Sequence, residues 1–152
     1  MSVALSDTQS ASLATRENLG FLLAKASQRW NALLHERFVR HGYPEVRPAY
    51  GSILVPLFEE DGLRVGELGR RAGLAKQTMT TMVRLLERDG LVRRERDPDD
   101  GRASVVSLTA RARSFRPVAE AVLAELEELV ASRLTETQRA ALQSALKEVV
   151  DL

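Results

Sequence analysis

Residues 74–94 read LAKQTMTTMVRLLERDGLVRR, and the phase of their apolar positions decides the fold. At about 100° per residue along a helix, Met79, Met82, Val83 and Leu86 fall in one sector, which must face a core. Gln77, Thr81, Arg84 and Arg88 lie opposite, with Lys76 and Thr80 on one rim and Thr78 on the other. The sector of Gln77, Thr81, Arg84 and Arg88 carries no acidic residue. A helix is predicted over about 76–89, ended by Gly90. In a helix-turn-helix, the N-terminal part of the second helix meets base edges while longer basic side chains reach phosphates. Gln bonds adenine through two contacts, and a Thr methyl packs on the thymine methyl. The same pattern also suits an ordinary amphipathic helix with a solvated face, so the flanking segments carry weight.

On the N-terminal side, Leu63–Val65 reads as a short strand, followed by a brief helix through Glu67, Leu68 and Arg71. Ala72-Gly73-Leu74 is a tight connection into the 76–89 helix. On the C-terminal side a hairpin is predicted: Leu91–Arg96, a tip of Asp97-Pro98-Asp99-Asp100-Gly101, and Arg102–Leu108 returning. Val105 and Val106 and the Asp-Gly pair support strand-turn-strand. A short helix, a Gly turn, a second helix and a basic hairpin together make a winged helix-turn-helix, which favours the DNA-reading face.

Arg93, Arg94, Arg96 and Arg102 lie in or beside the hairpin. A ribbon with arginine near its tip can place a guanidinium in a narrow minor groove, where negative potential concentrates. The three tip aspartates run against that task. Asp100, two residues from Arg102, can however hold the guanidinium in one orientation through a bidentate pair. Asp-Pro-Asp-Asp-Gly is also plain turn chemistry, and both readings hold together.

Further out, Leu19, Leu22, Leu23, Ala26, Trp30, Leu33 and Phe38 follow helical spacing over about 15–41, closed by Gly42 and Pro44. A second helix is expected from Pro48 to about Glu60, carrying Ile53, Leu54, Leu57 and Phe58, with Pro56 kinking or shortening it. Thr109 is a candidate N-cap for a long helix with Phe115, Ala119, Val122, Leu126 and Leu129. Thr135-Glu136-Thr137-Gln138 reads as a capping box opening a last helix with Leu142, Ala145, Leu146 and Val149. The terminal helices carry apolar stripes too large for the central lobe to cover, which predicts a homodimer. The chain therefore divides into a flexible arm (1–14), a dimerisation helix (15–45), a winged helix-turn-helix lobe (46–109) and C-terminal dimerisation helices (110–152). The expected fold is mainly α with a small β wing.

The chain has 152 residues and a net charge of +1, but the charge is unevenly spread. Residues 64–113 hold 12 basic and 7 acidic residues, whereas residues 1–63 hold 6 and 7, and residues 114–152 hold 4 and 7. A basic middle between acidic flanks fits a surface that neutralises phosphates and releases their counterions, and equally a solvated basic helix face. With no cysteine, disulfides, thiolate metal sites and cysteine redox sensing are excluded. Two histidines, His35 and His41, with neither Cys nor a Gly-rich phosphate loop, supply no catalytic constellation, and no metal or cofactor is expected. No apolar run approaches the roughly 20 residues that span a bilayer, and residues 1–14 lack a secretion-signal pattern, so a cytoplasmic location is expected.

Residues 74–92 resemble the recognition helix and first wing strand of MarR-family regulators. Asp100-Gly101-Arg102, with five residues before Leu108-Thr109, is similar to that family's Asp-x-Arg wing signature with a downstream Leu-Thr. The resemblance implies a homodimer held by the first and last two helices, with two winged lobes on a pseudo-palindromic operator in double-stranded DNA. It also implies repression relieved by a small organic ligand in the crevice between lobes. Arg102 would enter the minor groove and Asp100 would brace it. Ala75 departs from the family, which often has Ser or Thr capping the recognition helix, and Pro56 is unusual. The lack of Cys excludes the peroxide-sensing branch.

The DNA-contacting set expected on these grounds is Lys76, Gln77, Thr78, Thr80, Thr81, Arg84, Arg94 and Arg102. For a small aromatic or phenolic effector the candidate lining is Trp30, Phe38, Tyr50 and Leu54, with Tyr43, Phe58, His35 and His41 nearby. Aromatics at helical spacing are more often plain core. The competing functional reading is a winged helix serving as a protein-interaction module or a non-specific architectural DNA binder.

Overall fold

A computed structural model describes residues 14–152. Of the expected N-terminal arm, all but Ala14 lies outside the described residues. Helix α1 (Leu19–Arg40) starts later than the periodicity suggests. The Asn18 side chain accepts from the backbone N–H groups of Gly20 and Phe21, so the first turn is capped there. The helix closes as expected: Gly42 has φ 87° and Tyr43 N–H returns to the Phe38 carbonyl at 2.8 Å.

Pro48 opens a single 3-10 turn (Pro48–Tyr50), which leads into α2 (Gly51–Glu59). Pro56 lies inside α2, which runs three residues past it. Proline leaves one carbonyl a turn earlier without its helical partner. That carbonyl belongs to Ser52, which is exposed, so water can satisfy it, while the buried Pro56 ring packs inward beside Ile53, Leu54 and Leu57.

Strand β1 (Leu63–Arg64), α3 (Val65–Ala72), α4 (Lys76–Arg88), β2 (Val92–Arg96) and β3 (Ser104–Leu108) follow in that order. The sheet has three antiparallel strands in the order β1-β3-β2, with Leu63 opposite Val106 and Val92 opposite Leu108. The hairpin is thus joined to the body of the lobe by its returning strand. Helix α5 (Ala110–Ala131) is capped by the Thr109 hydroxyl, and α6 (Glu136–Val150) opens with the Thr135–Gln138 capping box. Pro117 lies inside α5.

One core joins these elements: Phe38 of α1, Ile53, Leu54 and Leu57 of α2, Leu68 of α3, Met79, Val83 and Leu86 of α4, and Val106 and Leu108 of β3. Phe115, Val122 and Leu126 bring α5 onto it. Phe38 meets Phe115 edge-on with ring centroids 4.8 Å apart, a geometry the ring quadrupoles favour. Beyond this core the terminal helices are bare. Leu19, Phe21 and Leu22 of α1, Leu123 and Leu129 of α5, and Leu142 and Leu146 of α6 are exposed, and α6 buries no residue. No helix among the described residues is long and apolar enough to cross a membrane.

Candidate nucleic-acid interface

The α3–α4 unit is built by local rules. Gly73 takes φ 65°, a left-handed conformation that costs a β-carbon-bearing residue about 1–2 kcal/mol. Around it, Leu74 N–H bonds the Gly69 carbonyl and Gly73 N–H the Arg70 carbonyl, which ends α3. Gly69 is where the two helices meet: a β-carbon there would stand 3.0 Å from Met79 Cγ. Met79, Val83 and Leu86 are buried, which fixes the rotation of α4. Lys76, Gln77, Thr78, Thr80, Thr81, Arg84 and Arg88 are all exposed as a result.

Two hydroxyls on that face are already committed as donors. Thr80 Oγ1 donates to the Lys76 carbonyl at 3.0 Å, and Thr81 Oγ1 to the Gln77 carbonyl at 3.2 Å. Each threonine thus offers its methyl group and its oxygen lone pairs outward. No side chain caps α4, because Ala75 stands at the N-cap, so the first N–H groups keep their positive ends unsatisfied by the protein. Among the described residues no carboxylate pairs with Lys76, Arg84 or Arg102. Arg94 is exposed and lies 3.8 Å from Glu87.

The wing differs from expectation in how its aspartates are used. Arg102 is exposed, as foreseen. Asp100 does not grip the Arg102 guanidinium; its Oδ1 accepts from the Arg102 backbone N–H at 3.1 Å. A short carboxylate reaches the amide two residues on more readily than a long side chain can fold back to it. Asp97 is almost fully buried. Its Oδ2 accepts from Arg64 Nε and Nη2, both at 2.6 Å, and its Oδ1 from Asp99 N–H at 2.9 Å. Those donors, the Asp99 amide foremost, hold the Asp97 carboxyl below its ordinary range.

Two further charge networks were not foreseen. On α3, Glu67 accepts from Arg70 Nε and Arg71 Nε, each at 2.9 Å, and these bonds push its pKa down to about 2. At the far end of α4, Asp89 accepts from the Tyr50 hydroxyl and from Arg88 Nε. The Glu67 pairs lie at the i,i+3 and i,i+4 spacings of one helix and could have been read from the sequence; the Tyr50–Asp89 contact, 39 positions apart, could not.

The residues expected to line an effector site divide differently. Phe38, Tyr50 and Leu54 are buried core and Trp30 is half-buried against it. None of the four lines the open cavity of about 270 Å³ formed by Leu57, Phe58, Asp61, Leu108, Arg113 and Arg116. Of the nearby aromatics named from sequence, only Phe58 does. Among the described residues, no cluster of three metal-ligating side chains occurs.

Known proteins match this arrangement. The MarR family model matches residues 48–104, which run from the 3-10 turn to the start of β3. The HTH-type transcriptional repressor Rv2887 of Mycobacterium tuberculosis is 36% identical over 93 residues, 61% of this chain and 67% of that protein. The PcaV transcriptional regulator from Streptomyces coelicolor, solved with its natural ligand, superposes with a TM-score of 0.74 at 27% identity. That match covers 91% of this chain and 94% of PcaV. The transcriptional repressor CouR, solved on a 23-mer DNA duplex, has the same fold, with a TM-score of 0.73 at 24% identity over 99% of both chains. With a winged helix-turn-helix, an exposed face of Lys, Gln, Thr and Arg side chains on its second helix and these relatives, the chain belongs to the MarR family of transcription regulators.

Proposed function

We propose that this chain is a homodimeric repressor that reads a pseudo-palindromic operator, one winged lobe per half-site, and lets go when a small organic ligand binds. Residues 46–109 form the reading lobe; residues 15–45 and 110–152 supply the dimerisation helices. The observation that carries the reading is the outward face of α4. Six exposed side chains, Lys76, Gln77, Thr78, Thr80, Thr81 and Arg84, sit over a buried Met79–Val83–Leu86 seam. They are followed by a hairpin whose tip presents Arg102. In this reading the N-terminal residues of α4 meet base edges, Arg84 and Arg94 contact phosphates, and Arg102 enters the minor groove.

Effector release fits the 270 Å³ cavity between the end of α2, the end of β3 and the start of α5. Its walls combine Leu57, Phe58 and Leu108 with Asp61, Arg113 and Arg116, an apolar surface with a few polar groups that suits a small aromatic or phenolic compound. The test is a salt-titrated binding assay on the promoter beside the chain's own gene, set against random duplex. Preference for the promoter, with affinity falling steeply as salt rises, is expected. Equal affinity for both duplexes would make the protein an architectural DNA binder, and binding to neither would make the lobe a protein-interaction module.

A further inference from the structure

We propose that Arg64 and Asp97 form a clamp that sets the angle of the wing, and thereby positions Arg102 on DNA; this rests on the DNA-reading role of α4 and the wing. Arg64 is the last residue of β1 and also the N-cap of α3, so its backbone belongs to the frame of the helix-turn-helix. Asp97 is the first residue beyond β2, where the hairpin leaves the sheet. Strand β1 supports β3 only at Leu63–Val106 and Arg64–Val105. Outward of Val105 the ribbon has only its own two strands, paired as far as Arg96–Ser104.

Across that gap runs the Arg64–Asp97 link. Among the described residues, no other side-chain hydrogen bond or ion pair ties residues 95–104 to the rest of the protein. The other bonds in this stretch are internal, such as Asp97 N–H to the Ala103 carbonyl and Ala103 N–H to the Asp100 carbonyl. Both Asp97 oxygens are used: Oδ2 holds the guanidinium and Oδ1 holds the tip turn through Asp99 N–H. One carboxylate thus joins the hydrogen-bonded turn that carries Arg102 to the base of α3. A buried negative charge in an element that approaches phosphates is otherwise unfavourable, and a role in positioning accounts for its presence.

The clamp and simple electrostatics predict opposite signs. Asp97→Asn keeps an acceptor for Asp99 N–H but removes a negative charge from the DNA-facing lobe. Charge alone would make the variant bind the promoter duplex more tightly. The clamp predicts weaker binding, by about tenfold, together with loss of coupling to the wing. Arg102→Ala should cost the wild type about tenfold but the Asp97→Asn protein less than about threefold. Arg64→Ala should reproduce the Asp97→Asn loss, and Arg64→Lys should restore part of it. Arg64 is exposed, so its variants test the clamp even if Asp97→Asn fails to fold, and thermal melting of each full-length variant separates the two effects. Binding by folded Asp97→Asn equal to or tighter than wild type, or an Arg102→Ala penalty unchanged in the clamp variants, overturns the proposal. Arg102→Ala without effect in the wild type removes the wing reading itself, and the clamp with it.

Discussion

The Tyr50 hydroxyl donates a hydrogen bond to the Asp89 carboxylate, fastening the start of α2 to the C-cap of the recognition helix. Tyr50 is 1% exposed, and Asp89 also takes Arg88 Nε at 3.2 Å. The bond therefore fixes the far end of the helix whose near end would meet bases. Tyr50→Phe retains the ring and deletes only the hydroxyl. Hydrogen bonds to charged groups contribute about 1.5–3 kcal/mol, and Asp89 keeps Arg88 and some solvent. The expected loss is about 1–2 kcal/mol of unfolding free energy, read by urea denaturation. Unchanged stability would mean that the bond contributes nothing net.

The same pair gives a pH signature with two limbs. The Tyr50 hydrogen bond, then the charges of Arg88 and Arg47, lower the Asp89 pKa against the opposing effect of burial. Burial and then the Asp89 carboxylate raise that of Tyr50. A lowered carboxyl pKa contributes stability that is present above the ordinary value of about 4 and is lost as pH falls through the folded value. A raised phenol pKa contributes stability that is present below about 10 and is lost as pH rises through the folded value. Both contributions coexist only between those limits. Urea melts across this range should show Tyr50→Phe losing the alkaline limb while wild type keeps it. An alkaline limb of equal size in both proteins would assign that titration to another group.

How far the sequence reaches depends on the range of each interaction. The caps at Thr109 and Thr135 and the close at Gly42 rest on bonds within five residues, and they were legible. The rotation of α4 was legible because one period, repeated over Met79, Val83 and Leu86, fixes it. Arg64–Asp97 and Tyr50–Asp89 join residues 33 and 39 positions apart, and nothing in their local spacing marks them as partners. Asp100 does accept from Arg102, but at the backbone amide and not at the guanidinium, a choice that residue spacing alone does not decide. Pro56 shows tertiary packing overriding propensity: burial of its ring in the α2 core face offsets one missing hydrogen bond.

Base reading and phosphate binding on α4 are separable. Thr81 spends its proton on the Gln77 carbonyl, which leaves its methyl as the natural contact for a thymine. Thr81→Val keeps a methyl in that place and Thr81→Ala removes it. Thr81→Val should retain operator preference, whereas Thr81→Ala should lose about 1 kcal/mol of discrimination at one base pair, the contribution of one buried methyl. Gln77→Ala, which removes a bidentate contact, should lose about 1–3 kcal/mol at another. Arg84→Ala should instead weaken binding to every sequence and flatten the salt dependence by about one counterion. Binding titrations on single-base operator variants at several salt concentrations distinguish these outcomes; a salt slope unchanged by Arg84→Ala takes that residue off the phosphates.

Leu142 and Leu146 lie on α6, the helix that buries nothing within its own protomer, with exposures of 47% and 39%. Together with Leu19, Phe21 and Leu22 of α1 and Leu129 of α5 they form more bare apolar surface than a lone protomer tolerates in water. A second copy covering them would bury what remains exposed of each leucine, twice by symmetry, at about 1 kcal/mol apiece. Replacing both by glutamine should raise the dimer Kd by about a thousandfold or more while leaving the winged lobe intact, because its core uses neither residue. Sedimentation at micromolar concentration should then find a monomer, with operator affinity reduced because two half-sites no longer act together. A double variant that sediments as a dimer as tight as wild type would place the interface elsewhere, on the α1 and α5 surfaces alone.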